Sequence, residues 1–261
     1  KACDSIILSG KYSLMTDYFD NFNPQNDNST ENILVVPFDK NYITGNAREN
    51  ATLHYNDIAP FSLLSGMYNG WSSAGDFYYG NYDTTSTYTT NNGKVYRTFN
   101  DQRTWQYLVG QQFSDLFSYP PSQKVLVQSS TTSDLLNDNG TPLVYQPNFS
   151  TLVYSTSQEE GRLVGARNIK YFPEAGTQAN QSNDVVLFRL ADIILMRAEC
   201  ILYGAPAGST GSAVSLVNQI RTRAYGSTDN NWSSVTPKTL LAERARELAW
   251  EGWRRQDLIR Y

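Results

Sequence analysis

Few residues in this chain could make or break bonds. His54 is the only histidine, and general acid–base or nucleophilic catalysis most often calls on one. It stands in a Tyr/Asn-rich stretch, where a hydrogen-bonding surface role is the expectation. Gly70-Trp71-Ser72-Ser73-Ala74 approaches a Gly-x-Ser-x-Gly nucleophile elbow. It ends in Ala, however, and no strand-then-helix pattern frames it. Glu159 and Glu160 are adjacent, so on an extended chain they point apart and form no carboxylate pair. Asn137-Asp138-Asn139-Gly140 suggests a calcium loop. Its register would put Leu135 where Asp is required, and no Glu follows at the right distance, so it reads as a turn. No Cys/His spacing suits a metal, and no Gly-rich loop suits a phosphate. The expectation is a protein without catalytic residues, metal or cofactor.

What the sequence offers instead is aromatic rings beside amides and hydroxyls. Tyr55, Phe61, Tyr68, Trp71, Phe77, Tyr78, Tyr79, Tyr82 and Tyr88 fall between Thr52 and Thr90, interleaved with Gly66, Gly70, Gly75 and Gly80. A pyranose has a face of C–H groups and a rim of hydroxyls. An indole or phenol covers the face, and Asn, Ser or backbone groups satisfy the rim. Tyr68-Asn69-Gly70-Trp71-Ser72 concentrates these ingredients in five residues. The candidate ligand contacts are Trp71, Tyr68, Asn69, Tyr55, Tyr78 and Tyr79. The competing reading is that most of these rings pack a core, as large aromatics usually do.

The elements that would hold such a site are clearest between Asp184 and Tyr261. In VVLFRLADIILMRAECILYG, Leu187, Leu190, Ala191, Ile194, Ala198 and Ile201 recur at helical spacing, and the other positions are also largely apolar. This predicts a helix buried nearly all round. Its Arg189, Asp192, Arg197 and Glu199 then need partners, and Cys200 reads as an inert core thiol. A Gly/Pro/Ser loop ends it. Ala213, Leu216, Val217, Ile220 and Ala224 give the second helix one apolar face, which makes a helical hairpin of tetratricopeptide type. Thr236 and Pro237 suit the N-cap and first position of a third helix. The Arg and Glu residues of that helix are either a solvated face paired at three and four residues or an ionic lattice gripping the hairpin through Arg221 and Arg223.

Three strings in this region, FRLADIILMRAECIL, SLVNQIRTRA and ERARELAWEGWRRQDLIRY, together resemble the SusD/RagB family of outer-membrane nutrient-binding lipoproteins. The resemblance implies a mainly α, SusD-like fold, with helical hairpins and a loop-rich lobe carrying short strands. Residues 1–16 would end an N-terminal repeat region, 17–183 would form the ligand-binding lobe, and 184–261 would form the C-terminal helical part. It implies a fragment of a family about twice as long, with the lipoprotein signal, most repeats and the segment after Tyr261 lying outside it. The membrane would then be reached only through a lipid anchor not present in this chain. Cys3 is not read as that anchor, since no hydrophobic signal precedes it and its neighbours read as helix. Asn-Gly-Trp-Ser around Trp71 looks like the place where the family's starch-binding member supplies a stacking Trp. The implied function is non-catalytic glycan binding at the outer surface, with a SusC-like TonB-dependent outer-membrane transporter as partner. A relative binding peptide or another nutrient, and a glycoside hydrolase, are the alternatives. The same resemblance makes Asp101-Gln102-Arg103 a structural ion pair in a turn and Gly165–Tyr171 a strand entering the helical hairpin.

Length and composition agree with this outline. A chain of 261 residues with 40% hydrophobic content and mean hydropathy −0.48 can bury a sizeable core. Net charge −4 and no long basic run argue against nucleic acid as partner. No apolar run reaches the roughly 18 residues a span needs. Cys3 and Cys200 leave a single disulfide open. Elsewhere Glu31–Phe38 reads as a strand buried on both faces, and Asn91-Asn92-Gly93-Lys94 as a hairpin turn. Lys124–Gln128, Pro142–Gln146 and Leu152–Ser155 read as short strands.

Overall fold

The computed structural model describes residues 1–64, 71–84, 86–91, 94–113, 125–129, 135–148 and 158–261. Its elements are α1 (Ala2–Leu8), β1 (Asn32–Val36), α2 (Arg48–Thr52), α3 (Ile58–Phe61), β2 (Ser72–Ser73), α4 (Gly75–Asn81), β3 (Ser86–Asn91), β4 (Lys94–Phe99), β5 (Tyr107–Leu108), β6 (Gly110–Gln111), β7 (Val125–Ser129), β8 (Val144–Tyr145), α5 (Gln158–Leu163), β9 (Ala166–Asn168), β10 (Val185–Arg189), α6 (Leu190–Leu202), α7 (Ala213–Tyr225), α8 (Pro237–Glu247) and α9 (Arg254–Arg260). The fold is mainly α, with short strands in the lobe that precedes the long helices.

The hairpin forms as its periodicity predicts. Leu190, Ile194 and Ala198 of α6 meet Leu216, Val217 and Ile220 of α7 in one buried cluster, completed by Leu240 of α8. Ile6 and Ile7 of α1 pack onto the same cluster, so the chain start and the hairpin share a core. Ser212 caps α7 through a bond from Ser215 N–H, and Gly226 ends it at φ 67°. Thr236 caps α8 in a reciprocal pair with Thr239, the arrangement that satisfies two of the orphan donors at a helix start.

Several expectations are corrected. Val185–Arg189 is a strand, paired antiparallel with β1 (Val36↔Val185, Leu34↔Phe188), and the helix begins only at Leu190. A continuous apolar run fits either element; here β-branched Val185 and Val186 and an available partner strand decide it. Among the described residues β1 pairs with β10 alone, and it is not buried on both faces. Leu34 and Val36 are exposed. The third helical string is two helices, α8 and α9, broken by a turn in which Trp250 has φ 63° and Gly252 φ 87°. Cys200 is exposed, and both cysteines are free thiols. His54 is fully buried, because it closes a turn inside the lobe and does not lie on the surface. Glu159 and Glu160 belong to α5, and α4 follows the Trp71-Ser72-Ser73 segment, so that stretch is less irregular than its composition suggests.

Other readings hold. β3 and β4 pair with Asn91 opposite Lys94; the two turn residues between them lie outside the described residues, as does Leu152–Ser155. Val125–Ser129 and Val144–Tyr145 are strands. Asn137 organises a turn, its Oδ1 accepting from the N–H groups of Asn139 and Thr141. Arg103 pairs with Asp101 at 2.8 Å.

The charges of α8 form a lattice buried between the lobe and the helices. Glu247 accepts from Arg189 (2.6 Å), Arg103 (3.0 Å) and Arg223. Glu243 accepts from Arg103 (2.8 Å), Arg221 (2.9 Å) and Arg246 (2.6 Å). Arg189 reaches on to Glu31 (2.7 Å) and Glu251 (2.7 Å), and Lys170 meets Glu251 at 2.6 Å. Arg103, Arg189, Glu31, Glu243 and Glu247 have no solvent exposure. Burial alone would push the Glu243 carboxyl up; Arg103, Arg246 and Arg221 outweigh it and hold it at about 2. Glu247 is pulled down by the same balance. Within α8 the expected Glu243–Arg246 pair forms, but Arg244 turns instead to Asp192 (2.8 Å) and Asp257 (3.0 Å).

Candidate functional site

Two segments far apart in sequence converge on Trp71. Its N–H donates to the carbonyl of Ala51 at 2.7 Å, which ties it to α2. It leads directly into β2, whose Ser72 and Ser73 pair with Arg167 and Ala166 of β9. That approach needs Gly165: at φ +84°, a Cβ there would lie 2.0 Å from Ser72 Oγ. The indole is held at its backbone yet 64% exposed.

Trp250 arrives from the turn after α8. Its ring lies 6.5 Å from that of Trp71, centroid to centroid, with the planes 32° apart. Trp250 Nε1 donates to Ser73 Oγ at 3.0 Å, and Ser73 Oγ contacts the Tyr107 hydroxyl at 3.3 Å. Behind it Tyr78, Tyr82, Tyr107, Ala166 and Ala249 make a buried cluster. A positive φ on a bulky residue is strained and persists only when its surroundings over-determine it. Here they do: Lys170 Nζ donates to Ala249 O at 2.7 Å, and Arg189 and Lys170 clamp Glu251 on the other side. Desolvation pushes the Lys170 ammonium down to about 8, in spite of Glu251 beside it.

The two indoles line one wall of a narrow cleft, with Arg48, Thr52, Asn168, Tyr171 and Pro173 around it. The cleft between them is tight, with about 10 Å³ of space for a water-sized group, so a sugar would lie on the exposed face of Trp71. Arg48 lies over the Tyr171 ring with Cζ 4.4 Å from the centroid. Tyr171 is fixed in turn, its hydroxyl accepting from Val186 N–H at 3.0 Å. Asn168 accepts from Lys170 N–H at 3.0 Å. Among the described residues no carboxylate lines the cleft, and no cluster of His, Cys, Asp and Glu could hold a metal ion. The arrangement can stack a ring and hydrogen-bond its rim; it presents no acid–base pair.

The other sequence-derived candidates are dispersed. Tyr78 is 3% exposed and supports the platform from behind, edge-on to Tyr107 at 5.5 Å. Tyr79 is half exposed and packs edge-on to Tyr78, away from the cleft lining. Tyr55 is half-buried against His54, 4.4 Å between rings, with Arg162 over it. Tyr68 and Asn69 lie outside the described residues. Sequence reasoning missed Trp250, Arg48 and Asn168. Trp250 sits in the ELAWEGWRR string, which reads as scaffold alone. The available signal was a large aromatic two residues before a glycine, just after the apolar period of α8 ends.

The scaffold that carries these residues is of the class built from packed helical hairpins and a loop-rich lobe with short strands. The sequence profile of the SusD family matches residues 8–261, and the chain belongs to that family. It is 40% identical over 78 residues to the starch-binding protein SusD of Bacteroides thetaiotaomicron, a stretch covering 30% of this chain and 13% of that protein. It is 35% identical over 88 residues to the SusD-like protein P25 of Formosa agariphila, covering 31% and 16%. Among solved structures it resembles the surface glycan-binding protein A of Bacteroides thetaiotaomicron in complex with laminarihexaose, with TM-score 0.56 and 20% identity over 99% of this chain and 48% of that one. The corresponding protein of Bacteroides fluxus gives TM-score 0.58 at 19% identity, over 99% and 46%. At these identities the structural likeness speaks for the fold. The chain spans about half the length of these solved relatives.

Proposed function

We propose that this chain binds oligosaccharide or polysaccharide without breaking bonds, at the bacterial outer surface, and passes it to a SusC-type TonB-dependent transporter. The observation that carries the reading is the exposed Trp71 ring, braced at its backbone and paired with Trp250 beside a cleft whose described lining holds Arg48, Thr52 and Asn168 but no carboxylate. Stacking on a fixed aromatic face suits the C–H face of a sugar, and a ring already braced at its backbone lowers the ordering cost of binding. Relatives named for starch and glycan binding support it. Among the described residues no helix is long and apolar enough to cross a membrane.

The test is calorimetric titration of the full chain against a panel of plant, algal and host glycans, with product analysis on the same mixtures. Trp71→Ala should weaken binding by about tenfold or more, roughly 1.4 kcal/mol. Its melting temperature should hardly move, because surface substitutions usually change stability by no more than about 0.5 kcal/mol. Glycan binding that is indifferent to Trp71→Ala, binding to peptides in place of sugars, or measurable hydrolysis would each overturn the reading.

A further inference from the structure

We infer that the Trp71 cleft selects an acidic glycan, one whose rings carry a carboxylate or a sulfate ester, and that Arg48 is the group that binds the anion. This rests on the glycan reading above and adds the charge class of the ligand.

The reason lies in how this chain treats most of its buried arginines; Arg167, the exception, turns its guanidinium to the carbonyls of Thr52, Gly161 and Arg162. Arg103, Arg189, Arg197, Arg221, Arg223, Arg244 and Arg246 each sit within ion-pair distance of a carboxylate. Arg48 is half-buried and lines the cleft, yet no carboxylate among the described residues is paired with it. What holds it is the Tyr171 ring beneath its guanidinium. A guanidinium stacked by one face keeps its N–H edge free, and that fork matches the two oxygens of a carboxylate or sulfate. Such charge-assisted, bidentate bonds are roughly twice as strong as neutral ones. Among the described residues no acidic side chain lines the cleft to repel an anion. A neutral sugar laid across Trp71 and Trp250 would strip water from Arg48 and return only hydroxyl oxygens, whereas burying a charge calls for a charged partner. The chain carries a net −4, so its overall field does not draw anions in. The preference is local, set by one cation.

The experiment uses matched pairs on the full chain. Polygalacturonate and its methyl-esterified form test the ring carboxylate. Carrageenan and its desulfated form test the sulfate ester, and laminarin serves as a neutral control. One acidic member should bind about tenfold or more tightly than its neutral twin, and which pair shows the gap identifies the anion. Arg48→Gln should erase the gap, chiefly by weakening the acidic twin, and Arg48→Lys should keep part of it. Raising NaCl from roughly 0.05 to 0.5 M should narrow the gap several-fold by screening. Equal affinity for both twins, or a gap that survives Arg48→Gln in a variant of unchanged melting temperature, overturns the inference and leaves Trp71-dependent glycan binding standing. Failure of every glycan to bind overturns both.

Discussion

His54 and Asp57 sit three residues apart in one buried turn and are perturbed in opposite senses. Desolvation lowers the His54 imidazole to about 4 and raises the Asp57 carboxyl to about 6, against hydrogen bonds from Tyr145 and from His54 N–H. For His54 the folded pKa lies below the unfolded one, so its contribution is whole above about 6.5 and is lost as pH falls toward 4. For Asp57 the folded pKa lies above the unfolded one, so acidification from about 6 toward 3.8 favours the native state. Between pH 7 and 5 the two nearly offset. Replacing His54 by Asn keeps an acceptor for the Asn56 N–H that His54 Nδ1 now takes at 3.1 Å, and removes one side of the balance. The variant should gain about 2 kcal/mol relative to wild type on going from pH 7 to pH 5, measured as urea midpoints at the two values. Parallel pH curves for the two proteins would show that the imidazole does not titrate as its burial requires. None of this was legible in the sequence. A lone His among Tyr and Asn reads as surface because its Tyr145 neighbour lies 91 residues away. Trp71 was legible, since a Gly-flanked Trp beside Asn and Ser needs no long-range information to be singled out.

At the scale of elements, α8 is where sequence and structure part most instructively. Local spacing predicted pairs three and four residues apart, and the Glu243–Arg246 pair forms. The remaining charges bypass their local partners for β10, α7, the turn at Arg103 and Lys170, contacts that no periodicity encodes. The same limit made β10 look helical: an apolar run shows that a segment is buried, and only its partner shows in which conformation. The lattice is consequential because removing one carboxylate takes a partner from several buried arginines at once. Glu247→Gln leaves Arg103, Arg189 and Arg223 short of a carboxylate in a site with no solvent. It should cost about 3–5 kcal/mol, read as a lower urea midpoint at unchanged slope. Both carboxyls are held below their unfolded values. Their stabilisation is therefore complete above about pH 4.5 and is lost as pH falls toward about 2. Acid unfolding of wild type should begin only below pH 4.5 and change little with added salt, since buried pairs are weakly screened. An acid transition that shifts strongly between low and high salt would place these charges in water.

Across the whole molecule, the cleft is made by two halves of the chain that meet through the lattice. Trp71 and Arg48 come from the loop-rich lobe, and Trp250 from the turn that follows α8. Lys170, Arg189, Glu247 and Glu251 bind that turn to the lobe. The order of the helical strings was enough to place the scaffold from sequence. The meeting of Trp71 with Trp250, 179 positions further along the chain, depends on tertiary packing and was not. A ligand that touches both indoles can bind only when the halves are docked, so its binding energy adds to the stability of the docked state. At a ligand concentration near 100 times Kd the gain is about 2.7 kcal/mol, which for a chain of this size raises the melting temperature by about 5–10 °C. At the same ligand concentration the rise should fall by about half or more in Trp71→Ala and also in Trp250→Ala, although Trp250 belongs to a string that reads as scaffold. Trp250→Ala should in addition melt lower without ligand, because its Nε1 bond to Ser73 and its packing on the Tyr78–Tyr107 cluster are lost. Scanning calorimetry with and without saturating glycan separates the two effects. A full ligand-induced rise in Trp250→Ala would mean that the lobe alone holds the sugar and that the C-terminal turn only braces it.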